Sequence, residues 1–89
     1  MIGSHLTKYL EFAFAGLSKS GKTFNWNVIS QNHSDVLGDI KWFGRWRQYA
    51  FFPTEKTIYN RECLEDISKF LILVQKQHKE LRQKKHIVT

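Results

Sequence analysis

Apolar and polar residues alternate along the first half of this chain, and only after residue 60 does the spacing become that of a helix. Over residues 9–15, Leu10, Phe12 and Phe14 fall on one side and Glu11, Ala13 and Ala15 on the other, a period of two that predicts a strand. A helix competes here, because Leu, Glu and Ala are good helix formers, but two phenylalanines spaced two apart suit a pleat. Residues 18–22 hold turn chemistry, with Gly21 able to take positive φ, so the chain reverses there. A second strand is predicted over 23–30, where Phe24, Trp26 and Val28 alternate with Asn25, Asn27 and Ile29; residues 31–35 form the next turn. Gly44 divides the following stretch into a third strand from 36 to about 43 and a fourth from about 45 to 52. In the third, Val36, Ile40 and Trp42 share one face and Lys41 and Phe43 the other. In the fourth, Arg45, Arg47, Tyr49 and Phe51 oppose Trp46, Gln48, Ala50 and Phe52, and the pattern leaves open which set points inward. Pro53 stops sheet pairing, with residues 57–59 a candidate fifth, edge strand.

A helix follows. Asn60 is a good N-cap, Glu62, Glu65 and Asp66 place negative charge near the positive end of the helix dipole, and Tyr59 with Leu64 has the spacing of a hydrophobic staple. The expected apolar stripe is Leu64, Ile67, Phe70 or Leu71, Val74 and Leu81, with Glu65–Lys69 and Glu80–Lys84 as favourable pairs. Beyond Val74 the residues are much more polar, so the helix is expected to outrun the sheet as a basic arm carrying Lys76, Lys79, Arg82, Lys84 and Lys85. The predicted fold class is α+β: an antiparallel meander of four to five strands with one long C-terminal helix packed on one face, in a single domain over 1–89. Residues 1–6, which contain Gly-Ser-His, are expected to be disordered or a cloning remnant, and residues 86–89 a frayed tail.

Charge narrows the partners. Fourteen Lys and Arg against eight Asp and Glu leave a formal charge of +6, which favours a polyanion such as nucleic acid or an acidic protein surface, or serves solubility alone. At 89 residues the core is modest and must be built largely from aromatics, so two of the three tryptophans are expected to be mainly structural. One cysteine cannot form an internal disulfide, and no signal peptide or long apolar span is visible, so a reducing cytoplasm and no membrane are the expectation.

One motif matches letter for letter. Gly16-Leu17-Ser18-Lys19-Ser20-Gly21-Lys22-Thr23 fits the phosphate-cradling pattern G-x-x-x-x-G-K-[ST], in which backbone amides at a helix start hold the phosphates. The residues after it alternate with period two and are rich in aromatic and β-branched types, so a strand is expected instead of a helix, with the loop amides used in hairpin pairing. A chain with one convincing helix also cannot build the parallel, crossover-connected sheet of that fold class. Lys19 and Lys22 remain as ordinary loop cations. His5, His33, His78 and His86 lack zinc-ligand spacing, Cys63 at the first helical turn has at best the distant His33 as a helper, and no catalytic set, metal or cofactor is called for.

The residues 36–53 pack two tryptophans, a tyrosine and three phenylalanines around Lys41, Arg45 and Arg47. Cations and a ring on an open sheet face can grip phosphates and stack on bases, so Lys41, Arg45, Arg47 and Tyr49 on the sheet and Lys79 and Arg82 on the basic helix end are the predicted contacts, with Lys19 and Lys22 as auxiliary phosphate contacts. The competing reading has the helix cover this face, with the arginine stems packed around the core. The arrangement Trp26-x-Val28, Leu37-Gly38-x-Ile40-x-Trp42, Trp46-Arg47-x-Tyr49-x-Phe51-x-Pro53 and Cys63-Leu64-x-Asp66-Ile67-x-x-Phe70 resembles a widespread set of short bacterial and phage proteins without an assigned function. That resemblance implies a compact single domain from a phage or mobile element and lends no binding residues. In architecture alone, strands followed by a helix are similar to DNA-binding sheet domains of the integrase amino-terminal kind. The expected function is a small non-enzymatic nucleic-acid-binding module. The alternative is a protein-interaction or inhibitor module, with an acidic protein partner or a homodimer seam through residues 70–74, because one helix face cannot absorb five consecutive apolar residues.

Overall fold

The computed structural model describes residues 3–88, with side chains through Leu81. Five strands form one antiparallel sheet in chain order: β1 (His5–Leu6), β2 (Leu10–Leu17), β3 (Phe24–Ser30), β4 (Val36–Phe43) and β5 (Gln48–Pro53), followed by a single helix, α1 (Arg61–Val88). This is the expected meander with one C-terminal helix. The period-two pattern decides which face is covered. Leu10 and Phe12 of β2, Trp26 and Val28 of β3, Ile40 of β4 and Tyr49 of β5 are buried against Ile67, Phe70 and Val74 of α1. Aromatic contacts supply much of the packing: Phe12 stacks on Phe70 with ring centroids 4.2 Å apart, and Trp26 meets Phe70 edge-on at 5.3 Å.

Asn60 caps α1 as predicted, its Oδ1 accepting the Cys63 N–H at 2.8 Å. The staple does not form. Leu64 is exposed, and Tyr59 instead packs on Phe51 while its hydroxyl donates to the Leu37 carbonyl at 2.6 Å. A rise of about 1.5 Å per residue makes a 28-residue helix roughly 42 Å long, against about 27 Å for an eight-residue strand, so α1 overhangs the sheet. Where a frayed tail was expected over 86–89, α1 continues through Val88, and residue 89 lies outside the described residues.

Three boundaries differ from the sequence reading. The fifth strand is N-terminal: residues 57–59 stay unpaired after the chain turns at Lys56 (φ 62°), whereas His5 and Leu6 pair with Phe12 and Glu11. Of the segment 1–6 expected to be disordered or a remnant, residues 3–6 are therefore ordered and tied in, and residues 1 and 2 lie outside the described residues. The buried Trp26 indole needs an acceptor for its N–H and finds it in the Gly3 carbonyl at 3.0 Å, while Ser4 Oγ accepts the Phe14 N–H at 3.1 Å. β5 begins at Gln48, not near Arg45, because residues 44–47 form a four-residue turn closed by Trp46 N–H to the Phe43 carbonyl and Arg47 N–H to the Gly44 carbonyl. Arg47 adopts a left-handed conformation there (φ 53°).

Candidate functional site

α1 covers one face of the sheet and leaves the other open. On the open face Lys41, opposite Ala50 in the β4–β5 ladder, holds its ammonium 4.6 Å from the centre of the Phe52 ring. Phe43 meets Phe52 edge-on at 6.0 Å and the turn residue Trp46 edge-on at 4.7 Å, which lays the Trp46 ring on this side of the sheet. Trp46 is 62% exposed. Arg45 and Arg47 stand exposed in the turn beside it, and no described carboxylate lies within salt-bridge range of Lys41, Arg45 or Arg47. The result is a ring cluster of Phe43, Trp46 and Phe52 bordered by three cations. Chemically it offers the exposed Trp46 ring for stacking, set edge-on to half-buried Phe43, and positive charge for a phosphate backbone.

The predicted contact set is divided by this geometry. Lys41 is on the open face as expected, and the two arginines flank it from the turn. Tyr49 does not belong: it is 5% exposed and points into the covered side, between Trp26 and Trp42. Its hydroxyl accepts the Phe24 N–H at 3.2 Å and its backbone N–H donates to Gln75 Oε1 at 2.9 Å. Burial raises the Tyr49 phenol pKa, and the Phe24 hydrogen bond lowers it in part. The physical reason for the correction is the turn. Arg45 and Arg47 are two of the four turn residues outside the ladder, so they share no pleated face with Tyr49. Sequence reasoning missed Phe43, Trp46 and Phe52; the signal for two of them was their position on the same side as Lys41 and Ala50.

Lys19 and Lys22 lie exposed in the β2–β3 turn. In a meander this turn and the β4–β5 turn occupy the same end of the sheet, toward which α1 runs, so Lys19, Lys22, Arg45, Arg47 and, on the helix, Lys76 and Lys79 gather at one end. The side chain of Arg82 lies outside the described residues. Asp35, Glu55, Glu62, Glu65 and Asp66 sit at the opposite end, where α1 begins. The segment matching the phosphate-loop pattern is a bulge and a hairpin turn: Gly16 (φ 100°) marks a register shift in β2, and Gly21 takes φ 72°. The Ser18 N–H donates to the Thr23 carbonyl, the Gly21 N–H to the Ser18 carbonyl and the Lys22 N–H to Ser20 Oγ, so these amides serve the hairpin. A strand, β3, follows it.

Other chemical candidates are sparse. Cys63 and His33 border one depression at the carboxylate-rich end, and among the described residues no group of three His, Cys, Asp or Glu is placed to hold a metal ion. The apolar run 70–74 does not make a single stripe: Phe70 and Val74 enter the core, Ile72 is 67% exposed on the back of the helix and Leu73 is exposed on a flank. Among the described residues no helix is long and apolar enough to cross a membrane.

No protein-family model matches the chain, and no solved structure matches it. It is similar to an uncharacterized 9.3 kDa protein of Acholeplasma phage L2, 28% identical over 74 residues that cover 83% of this chain and 94% of the phage protein. The chain thus resembles a short phage protein over most of the length of both.

Proposed function

We propose that this protein is a non-enzymatic nucleic-acid-binding module that works in the cytoplasm on behalf of a phage or mobile element. The observation that carries the reading is the open sheet face, where Phe43, Trp46 and Phe52 form a ring surface bordered by Lys41, Arg45 and Arg47 with no described carboxylate in range. The exposed Trp46 ring, beside half-buried Phe43 and Phe52 and cations without a described carboxylate partner, suits splayed bases on a phosphate chain, since every base has a face to stack and every linkage a charge. The similarity to a phage protein supports the setting and is silent on the ligand. The more specific resemblance, through the Trp46-Arg47-x-Tyr49-x-Phe51-x-Pro53 pattern, belongs to this proposal too.

Fluorescence anisotropy with single- and double-stranded oligonucleotides at several salt concentrations tests it. Affinity is expected to fall steeply as salt rises, with single strands favoured. Arg45→Ala with Arg47→Ala weakens binding to all sequences and lowers the salt slope by about 0.7–0.9 for each phosphate that is no longer neutralised. Trp46→Ala costs about 1–3 kcal/mol on single strands without changing that slope, because it removes stacking and leaves charge untouched. An affinity indifferent to these three changes refutes the reading. The protein-interaction alternative draws on exposed Ile72 and Leu64, and self-association that disappears in Ile72→Glu would favour it.

A further inference from the structure

A cavity of about 690 Å³ opens at the basic end on the covered side of the sheet, between the β2–β3 turn and the last described turns of α1. Half-buried Phe24 and Trp42 and buried Tyr49 and Val74 wall it, with the exposed Lys22 and Leu81 at its margin. Its volume falls within the roughly 300–1,000 Å³ of small-molecule sites, and its walls have their usual make-up, mainly apolar and aromatic with few polar groups. Two observations select a ligand class. Phe24, Trp42 and His78, whose ring lies 4.5 Å from that of Trp42, line the cavity with aromatic surface that suits the edge or open face of a flat heterocycle. Lys22 has no described carboxylate within salt-bridge range and shares its turn with Lys19, so the margin suits an anion.

We propose that this cavity binds one nucleotide, free or at a strand end, with the base against Trp42 and Phe24 and the phosphate on Lys22. The loop that carries the phosphate-binding pattern then meets phosphate through a side chain, its amides being engaged in the hairpin. Because the cavity and the Phe43–Trp46–Phe52 cluster lie on opposite faces of the sheet, this site goes beyond the function proposed above and stands or falls separately from it.

The test is NMR of the full chain with nucleoside 5′-monophosphates, ribose 5-phosphate and a 5′-phosphorylated tetranucleotide as probes. A mononucleotide is expected to shift the Trp42 indole and Tyr49 amide signals while the Trp46 indole stays in place. A response of Trp42 to the tetranucleotide alone assigns the site to strand ends. Lys22→Gln weakens the response about tenfold. Leu81→Trp, which fills the margin from an exposed helix position, abolishes it without lowering the thermal midpoint. Trp42 signals that ignore both nucleotide probes, or that move equally with ribose 5-phosphate, overturn the proposal. Salt-sensitive oligonucleotide binding with Trp42 unmoved removes the cavity and spares the open-face reading. Mononucleotide shifts at Trp42 without oligonucleotide binding do the reverse.

Discussion

Gly38 shows how closely β4 and β5 approach. A Cβ there would stand 2.5 Å from the Phe52 carbonyl oxygen and 2.7 Å from the Phe51 ring, and the first of these neighbours is backbone that cannot swing aside. Gly38→Ala is therefore expected to destabilise the fold by about 1–3 kcal/mol, seen as a lower urea midpoint, and an unchanged midpoint would contradict the packing. The three tryptophans have three fates: Trp26 is buried, Trp42 is half-buried against Tyr49 and His78, and Trp46 is exposed. That two of them are structural was readable from the small size of the core. Which one stays outside was not, because Trp46 leaves the strand pattern in a turn whose length the residues 44–47 do not announce.

At the level of elements, Tyr49 ties β5 to two neighbours, to β3 through the Phe24 N–H and to α1 through Gln75. Its phenol pKa is held above the ordinary 10.0, chiefly by burial. The folded protein thus keeps the phenol proton to higher pH than the unfolded chain, so this contribution is intact below about pH 10 and is lost as pH climbs above it. Urea unfolding at rising alkaline pH is expected to show that decline. Tyr49→Phe flattens it, at a cost of about 1 kcal/mol near neutrality because the Phe24 N–H loses its acceptor. The same slope in both proteins would assign the decline to other groups. The helix illustrates a limit of pattern reading: the expected stripe was right at Ile67, Phe70 and Val74 and wrong at Leu64 and Leu81, which are exposed, while half-buried Cys63 packs against the core. A turn of about 100° per residue places neighbours 63 and 64 on different sides, and only the docking angle of α1 selects between them.

Across the whole molecule, the meander and the direction of α1 separate charge. Cations from two turns and the helix gather at one end, with Glu80 among them, while five of the eight carboxylates lie toward the helix start at the other, along a longest dimension of 47 Å. That length is several times the screening distance of about 8 Å at physiological salt, so the basic end presents its own field and not the average of +6. The helix dipole has the same sense, negative side chains at its N-terminus and positive ones toward its C-terminus. Reversing Lys19 and Lys22 to glutamate should therefore weaken oligonucleotide binding at least tenfold, while reversing Lys8 and Lys56, an equal change in net charge, should weaken it far less. Equal losses in anisotropy would mean that total charge, not its placement, governs binding.

The chain itself determined four of the five strands, their order and the helix, because alternation, turn residues and an N-cap act over a few neighbouring residues and leave their mark in local spacing. Tertiary structure decided which face stayed open, and with it the placement of Tyr49 inside and of Phe43, Trp46 and Phe52 outside. It also decided that residues 3–6 belong to the fold, since the need of the Trp26 indole for an acceptor is met from 23 positions away. Both outcomes depend on contacts between distant segments, where a four-residue turn or one buried N–H outweighs any local preference.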